Sequence, residues 1–261
     1  MSGQRGRTLA ILQARMTSSR LPGKVVEPIE GAAMVLRQLE RVSRAATLDQ
    51  IVVATSDDPS DNELADLVTQ AGYLVFRGDL HDVLARFVGV IDAFQPDVVV
   101  RLTADCPLIS PRVIDLVVEK FHTSQADYVS NTMVPTFPDG LDVEVVAADV
   151  LRSVAAMSQD PDEREHVTLG VYRRVDDYAI ENVIDPTGRD NSELRWTVDN
   201  KDDLEFVRQV FAELGADPFD YDEVLELLEK SPSLSQTAAY APRNAALKGL
   251  QTGAMQFPGD V

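Results

Sequence analysis

The chain has 261 residues, 44% of them hydrophobic, with a single cysteine and a formal net charge of −19. That length suits one large α/β domain or two small ones. The charge argues against a nucleic-acid binder, which a phosphate backbone would repel; no apolar run reaches the ~18 residues of a membrane span, and Cys106 alone forms no intrachain disulfide.

His81, His122 and His166 are scattered and give no zinc spacing with Cys106. The polar start, Met1–Arg7, lacks the apolar core of a secretory signal, so a cytoplasmic, reducing location is expected. The acidity is uneven. Residues 1–46 hold eight Lys/Arg against three Glu, a net of +5, which leaves −24 for the remainder.

The first predicted strand, Thr8–Ala14, runs into Gln13-Ala14-Arg15-Met16-Thr17-Ser18-Ser19-Arg20-Leu21-Pro22-Gly23-Lys24. A β-to-α loop with two Arg, three hydroxyls, a Gly and a Lys suits a nucleoside triphosphate, whose oxygens take backbone N–H groups and cations. It is not a P-loop, because Ser18 stands where the first Gly is required and Val25 follows the Lys. Taken alone, it reads equally well as a charged, solvated turn.

Helical spacing follows at Val35, Leu36, Leu39 and Val42, then a strand at Gln50–Thr55. Ser60-x-x-Glu63 reads as a capping box for a helix bearing Leu64, Leu67, Val68 and Ala71. Next come a strand at Tyr73–Phe76, a helix marked by Leu80, Val83, Leu84, Phe87, Ile91 and Phe94, and a strand at Asp97–Thr103. Val113, Ile114, Val117, Val118 and Phe121 mark another helix, with Pro111 in its first turn, before a strand at Ala126–Ser130. This alternation predicts a mainly parallel sheet covered on both faces, with ligands outside the carboxyl ends of its strands. The second half is less regular. Strands are expected at Leu141–Val146 and Asp177–Ile184, flanking a helical region near Val150–Arg174. A strand at Leu194–Val198 precedes a helix bearing Leu204, Val207, Phe211 and Leu214, and a last helix spans about Tyr221–Glu229. Residues 1–230 form the expected domain, and 231–261, rich in Ser, Gln, Ala, Pro and Gly, read as an appendage.

Asp105 and Asp199 both follow strand-like runs. Each reads either as a helix N-cap or as an oxygen ligand for a hard cation; on neighbouring strands they would share one Mg²⁺ against a triphosphate. Asp142 and Glu144, two residues apart, fall on one strand face, either as hydrogen-bond acceptors for sugar hydroxyls or as a solvated surface. Arg164-Glu165-His166 is a polar cluster at a helix start, where a lone His is more often structural. Cys106 and Trp196 read as core.

Five blocks taken together resemble one family. The segment from Ile11 to Lys24 is similar to the signature of CMP-ketodeoxyoctonate synthetase and its relatives. Arg101–Leu108, Thr136–Glu144, Arg164–Thr168 and Leu194–Asp199 resemble the branch that includes spore-coat polysaccharide biosynthesis proteins. The resemblance spans roughly residues 8–215. It implies a cytidylyltransferase that joins CMP from CTP to a sugar acid, sugar phosphate or related acidic acceptor and releases pyrophosphate. It also implies a three-layer α/β/α sandwich of the nucleotide-sugar-transferase, glycosyltransferase A-like kind, Mg²⁺ dependence and a homodimer. By position, Gln13, Ala14, Arg15, Ser19, Gly23, Lys24 and Thr103 would bind the nucleotide, with Arg15, Lys24 and Asp105 catalytic. Asp105 and Asp199 would hold the metal, and Asp142, Glu144, Arg164 and His166 the acceptor. The chain departs from the ketodeoxyoctonate enzymes at Thr103-Ala104-Asp105-Cys106-Pro107, where they carry Gln-Gly-Asp-Glu-Pro. Two other readings stand beside it: a glycosyltransferase, although Thr103 and Pro107 deny Asp105 an Asp-x-Asp partner, and a non-catalytic nucleotide-binding homologue.

Overall fold

The structure, a computed structural model, describes residues 6–215 and 218–235. β1 (Thr8–Gln13) is apolar throughout because both of its faces are covered: Leu9 and Ile11 enter one core, Ala10 and Leu12 the other. A loop and a short hairpin, β2 (Pro28–Ile29) with β3 (Ala32–Ala33), lead to α1 (Met34–Val42), which buries Val35, Leu39 and Val42 as its spacing predicts. β4 (Gln50–Ser56) and β5 (Leu74–Gly78) flank α2 (Asn62–Gln70). α3 (Val83–Phe94) precedes β6 (Val98–Thr103); α4 (Pro111–Thr123) follows, capped by Ser110, whose Oγ accepts the Val113 N–H at 3.1 Å. β7 (Tyr128–Ser130), β8 (Glu144–Ala147), α5 (Ala148–Met157), α6 (Pro161–Glu165), α7 (Leu169–Tyr172) and β9 (Ile180–Asn182) come next. α8 (Lys201–Leu214), α9 (Tyr221–Lys230) and α10 (Pro232–Ser235) end the described chain. Of the expected appendage, only residues 231–235 lie within the described residues.

The seven-stranded sheet has the order β5-β4-β1-β6-β8-β7-β9. β8 alone runs antiparallel to its neighbours, and the other pairings are parallel. From β1 the chain first builds outward through β4 and β5, then returns to place β6 on the other side. The carboxyl ends of β1 and β6 therefore flank the point where the winding reverses, which is where open α/β sheets bind ligands. One core holds α1, α4, α8 and α9 against the sheet, and the other holds α3, α5 and α7, completing three layers.

Three predicted elements differ. The expected strand at Leu194–Val198 makes one isolated bridge, Asp139 with Arg195. Its backbone is shared between two partners: Trp196 N donates to Asp139 O at 2.6 Å, and Val198 N to Asp105 O at 2.8 Å, so no ladder runs along it. The expected strand at Leu141–Val146 pairs only from Glu144 onward, because the Asn131 side chain takes the Leu141 carbonyl and the Val143 N–H, both at 2.8 Å. The Ser60/Glu63 capping box is absent. Asp58 caps a short 3-10 turn, Pro59–Asp61, through the Ser60 N–H, and α2 starts after Asp61, whose carboxylate turns elsewhere. Gly140, at φ +108°, meets the other chain closely: a Cβ there would lie 2.9 Å from the Trp196 carbonyl carbon, so the turn and the 194–198 segment touch only because no side chain intervenes.

Candidate active site

A cavity of about 300 Å³ opens at the β1 and β6 ends, and among its lining residues are Gln13, Arg15, Lys24, Arg101, Asp105 and Asp199. The loop after β1 is folded back on itself: Met16 O accepts the N–H groups of Ser18 at 3.0 Å and Gly23 at 2.9 Å. Gly23 has φ +75°, a left-handed conformation that costs a side-chain-bearing residue energy, and it turns the chain so that Lys24 points inward. Asp61, fully buried, fastens this loop to the sheet by accepting from Met16 N at 2.7 Å, Ser56 N at 3.1 Å and the Ser56 hydroxyl.

Lys24 is the point of convergence. Its Nζ donates to Val198 O at 2.6 Å and lies 3.1 Å from Asp199 Oδ1 and 3.6 Å from Asp105 Oδ2. Asp199 also takes Arg20 at 2.8 Å on Oδ1 and Arg195 at 2.5 Å on Oδ2. Arg195 is itself held by Asp203 at 2.8 Å, and Asp203 caps α8 reciprocally with Asn200. The helix-cap reading of the two aspartates does not hold. Asn200 caps α8 and Ser110 caps α4, so neither Asp199 nor Asp105 is spent on a helix terminus. Burial alone would raise the Asp105 carboxyl, but the Lys24 ammonium and hydrogen bonds from Thr103 and Cys106 hold it below the ordinary carboxylate range. Cys106 is more than core filler: its Sγ lies 3.4 Å from Asp105 Oδ1, and burial, with Asp105 and Asp142 nearby, pushes its thiol well up and keeps it a donor. Thr103 Oγ1 lies 3.5 Å from the same sulfur, and buried Gln38 fixes the Thr103 carbonyl at 2.8 Å.

Of the residues expected to act together, Gln13, Ala14, Arg15, Ser19, Lys24, Thr103, Asp105, His166 and Asp199 line this one cavity. Gly23 serves from behind it. Asp142 is half-buried near Cys106, and Asn131 pins the backbone on both sides of it. Two expectations are corrected. Glu144 does not face an open acceptor site: it is buried, ion-paired with Arg101, and its Oε1 accepts Tyr128 at 2.6 Å and Thr168 and Tyr172 at 2.7 Å. Arg164 is not among the cavity's lining residues; its guanidinium binds Asp82 at 2.6 Å and Ala155 O at 2.9 Å, tying α6 to α3 and α5. Glu165 and His166 are the part of that cluster that lines the cavity. Burial lowers His166 below its ordinary 6.5; Glu165 offsets part of this and the charge of Arg101 adds to it, so the ring is neutral at pH 7. Arg101, Arg20, Asp61, Asn131 and Arg195 escaped the site set read from sequence. Arg20 had a local signal as the second Arg of the cationic loop, and so had Arg195, standing four residues before Asp199 and eight before Asp203; Asp61 and Asn131 had none.

The Glu144 carboxyl gives the fold an acid-sensitive element. Burial opposes its ionisation, but Arg101 and three hydroxyls hold it below its ordinary 4.5. As pH falls through 4.5 the unfolded chain takes up this proton first, so the stabilisation present above 4.5 is lost toward the lower folded value. Glu144→Gln is expected to cost about 3–5 kcal/mol at pH 7 by leaving the guanidinium unpaired. The gap between the two proteins in urea midpoint is expected to narrow below pH 4.5, and a gap independent of pH contradicts the assignment.

A larger cleft, of about 790 Å³, lies beside α9, but its guanidiniums are committed: Arg112 at 2.6 Å and Arg189 at 2.7 Å both bind Asp222.

A cytidylyltransferase family model matches residues 9–230. The chain is 34% identical over 230 residues to the spore coat polysaccharide biosynthesis protein SpsF of Bacillus subtilis, covering 86% of this chain and 95% of that one. It is 29% identical over 135 residues to 3-deoxy-manno-octulosonate cytidylyltransferase of Chlorobium phaeobacteroides, about half of each chain (51% and 53%). Among solved structures, a cytidylyltransferase from Leptospira borgpetersenii superposes with a TM-score of 0.84 at 29% identity, covering 90% of this chain and 99% of that one.

Proposed function

The chain belongs to the cytidylyltransferase family, and from that premise we propose that it transfers CMP from CTP to an oxygen of an acidic sugar, sugar phosphate or related acceptor with release of pyrophosphate. The observation that carries this reading is the convergence of Lys24, Asp105 and Asp199 in one cavity, beside a loop that adds Arg15 and Arg20. In such a transfer the acceptor oxygen attacks the α-phosphorus in line with departing pyrophosphate, so the protein's task is positioning and charge stabilisation. Arg15, Arg20 and Lys24 neutralise the triphosphate, and Ser19 and the folded-back loop offer it donors. Gln13 Oε1 is buried in the cavity wall without a hydrogen-bond partner among the described residues, which favours a base presenting an N–H, as the cytosine amine does. His166, neutral at pH 7, is available to accept a hydrogen bond from the incoming hydroxyl.

Two hard carboxylates that already meet at one cationic point also fit a divalent ion such as Mg²⁺. Among the described residues no three Asp, Glu, His or Cys side chains are arranged to hold a metal, so phosphate and water would complete the shell. When bound, the ion supplies further neutralisation of the phosphates. A homodimer and a cytoplasmic setting belong to the same proposal. Val134 and Ile184, both more than half exposed close to the sheet edge at β9, support a protein contact there, and free, buried Cys106 is compatible with a reducing compartment.

Incubation with each of the four ribonucleoside triphosphates, Mg²⁺ and pooled acidic sugars and sugar phosphates is expected to release pyrophosphate with CTP and to yield a CMP conjugate by mass. Absence of any conjugate across the panel contradicts the reading. Lys24→Ala is expected to weaken CTP binding by roughly 10–100-fold, the size of a lost charge-assisted contact. Acceptor affinity should stay within about twofold, and equal losses by calorimetry would remove Lys24 from the triphosphate site.

A further inference from the structure

Arg101 lies on β6 directly opposite Glu144 of β8, on the sheet face that also carries Val99 and Tyr128. It lines the cavity with Thr103 and His166, and its side chain is 18% exposed. The pairing with Glu144 is one-sided. Nη1 donates to Glu144 Oε2, while Nε is fully buried with no partner among the described residues. Nη2 is the nitrogen left for the cavity. Arg–carboxylate pairs are frequently forked, with two parallel N–H groups on the two oxygens, and this one is not. Here the second carboxylate oxygen is already saturated by Tyr128, Thr168 and Tyr172, so Glu144 cannot turn to complete the fork. The result is a cation held rigidly by one corner, with donors to spare, in the wall of a cavity whose other cations are gathered on the loop after β1.

We infer that Arg101 is the specificity-determining residue for the acceptor, its guanidinium, fixed by Glu144, binding the acceptor's anionic group. This rests on the cytidylyltransferase reading and adds which side chain reads the acceptor. The group is an oxyanion with oxygens able to meet a planar pair of N–H donors: a carboxylate, a phosphate or a phosphonate. Glu144, Tyr128 and Tyr172 act through Arg101 and are positioning residues.

The test uses the full chain and two variants chosen to stay folded, with thermal unfolding as the check. Arg101→Lys keeps a charge against Glu144 and loses the planar fork. The double variant Arg101→Gln with Glu144→Gln removes both charges and leaves no ion buried alone. Calorimetry with CTP is done first, and both variants are expected to match the wild type within about twofold, because the loop after β1 is untouched. Three acids are then titrated in the presence of a non-hydrolysable CTP analogue: 3-deoxy-manno-octulosonate, glucose 1-phosphate and methylphosphonate. Each is compared with its neutral methyl ester or parent alcohol. The wild type is expected to bind at least one acid tenfold or more tighter than its neutral counterpart, roughly the worth of one charge-assisted contact, and the winning acid identifies the oxyanion. Both variants are expected to lose that preference while binding the neutral compound unchanged. A wild type with no preference for any acid, or variants that keep the preference, overturns the inference. Failure of CTP to bind overturns the cytidylyltransferase reading instead; the acid and neutral titrations repeated without nucleotide then still judge Arg101.

Discussion

Asp105→Asn is expected to lower turnover by about 10²–10³-fold or more, the scale on which preorganised charge acts in transfer reactions, while the chain stays folded. The change keeps the shape of the side chain and removes its charge. The Asp105 backbone carbonyl still accepts Val198 N, and Ser110, not Asp105, caps the following helix, so the structural contacts at this corner survive. What is lost is one of the two carboxylates that meet at Lys24. With a single anion left, the ammonium is held by Asp199 and the Val198 carbonyl, and a divalent ion would have one protein ligand instead of two. The proposed Mg²⁺ requirement is therefore expected to shift to higher concentration together with the fall in kcat. Steady-state pyrophosphate release and a melting curve check the result. Activity within a few-fold of wild type would exclude Asp105 from the chemistry, and a collapsed melting curve would make the residue structural.

Asp61→Ala is expected to cost on the order of 3–5 kcal/mol, because one buried and one partly buried backbone N–H, at roughly 1–3 kcal/mol each, lose their acceptor together with a hydroxyl. The donors are Met16 N, Ser56 N and Ser56 Oγ, and they join the loop after β1 to the end of β4. The loss also strips a carboxylate from the surroundings of buried Arg86, whose Nε and Nη1 have no hydrogen-bond partner among the described residues. For a chain of this size the melting temperature should fall by roughly 10 °C. CTP affinity should drop as well, since Met16 O organises the turn at Gly23 that presents Lys24. A variant that melts with the wild type would show that the loop is fastened elsewhere.

These two residues differ in how far the sequence reveals them. Asp105 was legible because it ends an apolar strand run in front of Cys106-Pro107, a position whose meaning is local. Asp61 was not: it sits in a Pro/Ser/Asp stretch that reads as a turn, and its partners come from two other segments. The same division runs through the acceptor side. Asp142 and Glu144 share an alternation that suggests equivalent roles, yet Asn131 pins the backbone around the first while Arg101 and three hydroxyls enclose the second. Arg164 and His166 are two apart on the chain and face different elements, because a helix turns about 200° over two residues and His166 already lies at the end of α6, while Arg164 is clamped to Asp82.

Local periodicity and residue chemistry were enough for the alternating strands and helices, the mainly parallel sheet, the cationic loop after the first strand and the acidic position just beyond β6, since each depends on neighbours within a few residues. Tertiary structure decided which of those pieces meet. The sheet order brings β6 beside β1, the bare backbone of Gly140 lets the 194–198 segment pass close enough for Val198 to bond Asp105, and only then do Asp105 and Asp199 share Lys24. Whether a buried charge is a ligand site or an internal pair depends on partners that the chain brings from far away, and spacing along the sequence carries no record of them.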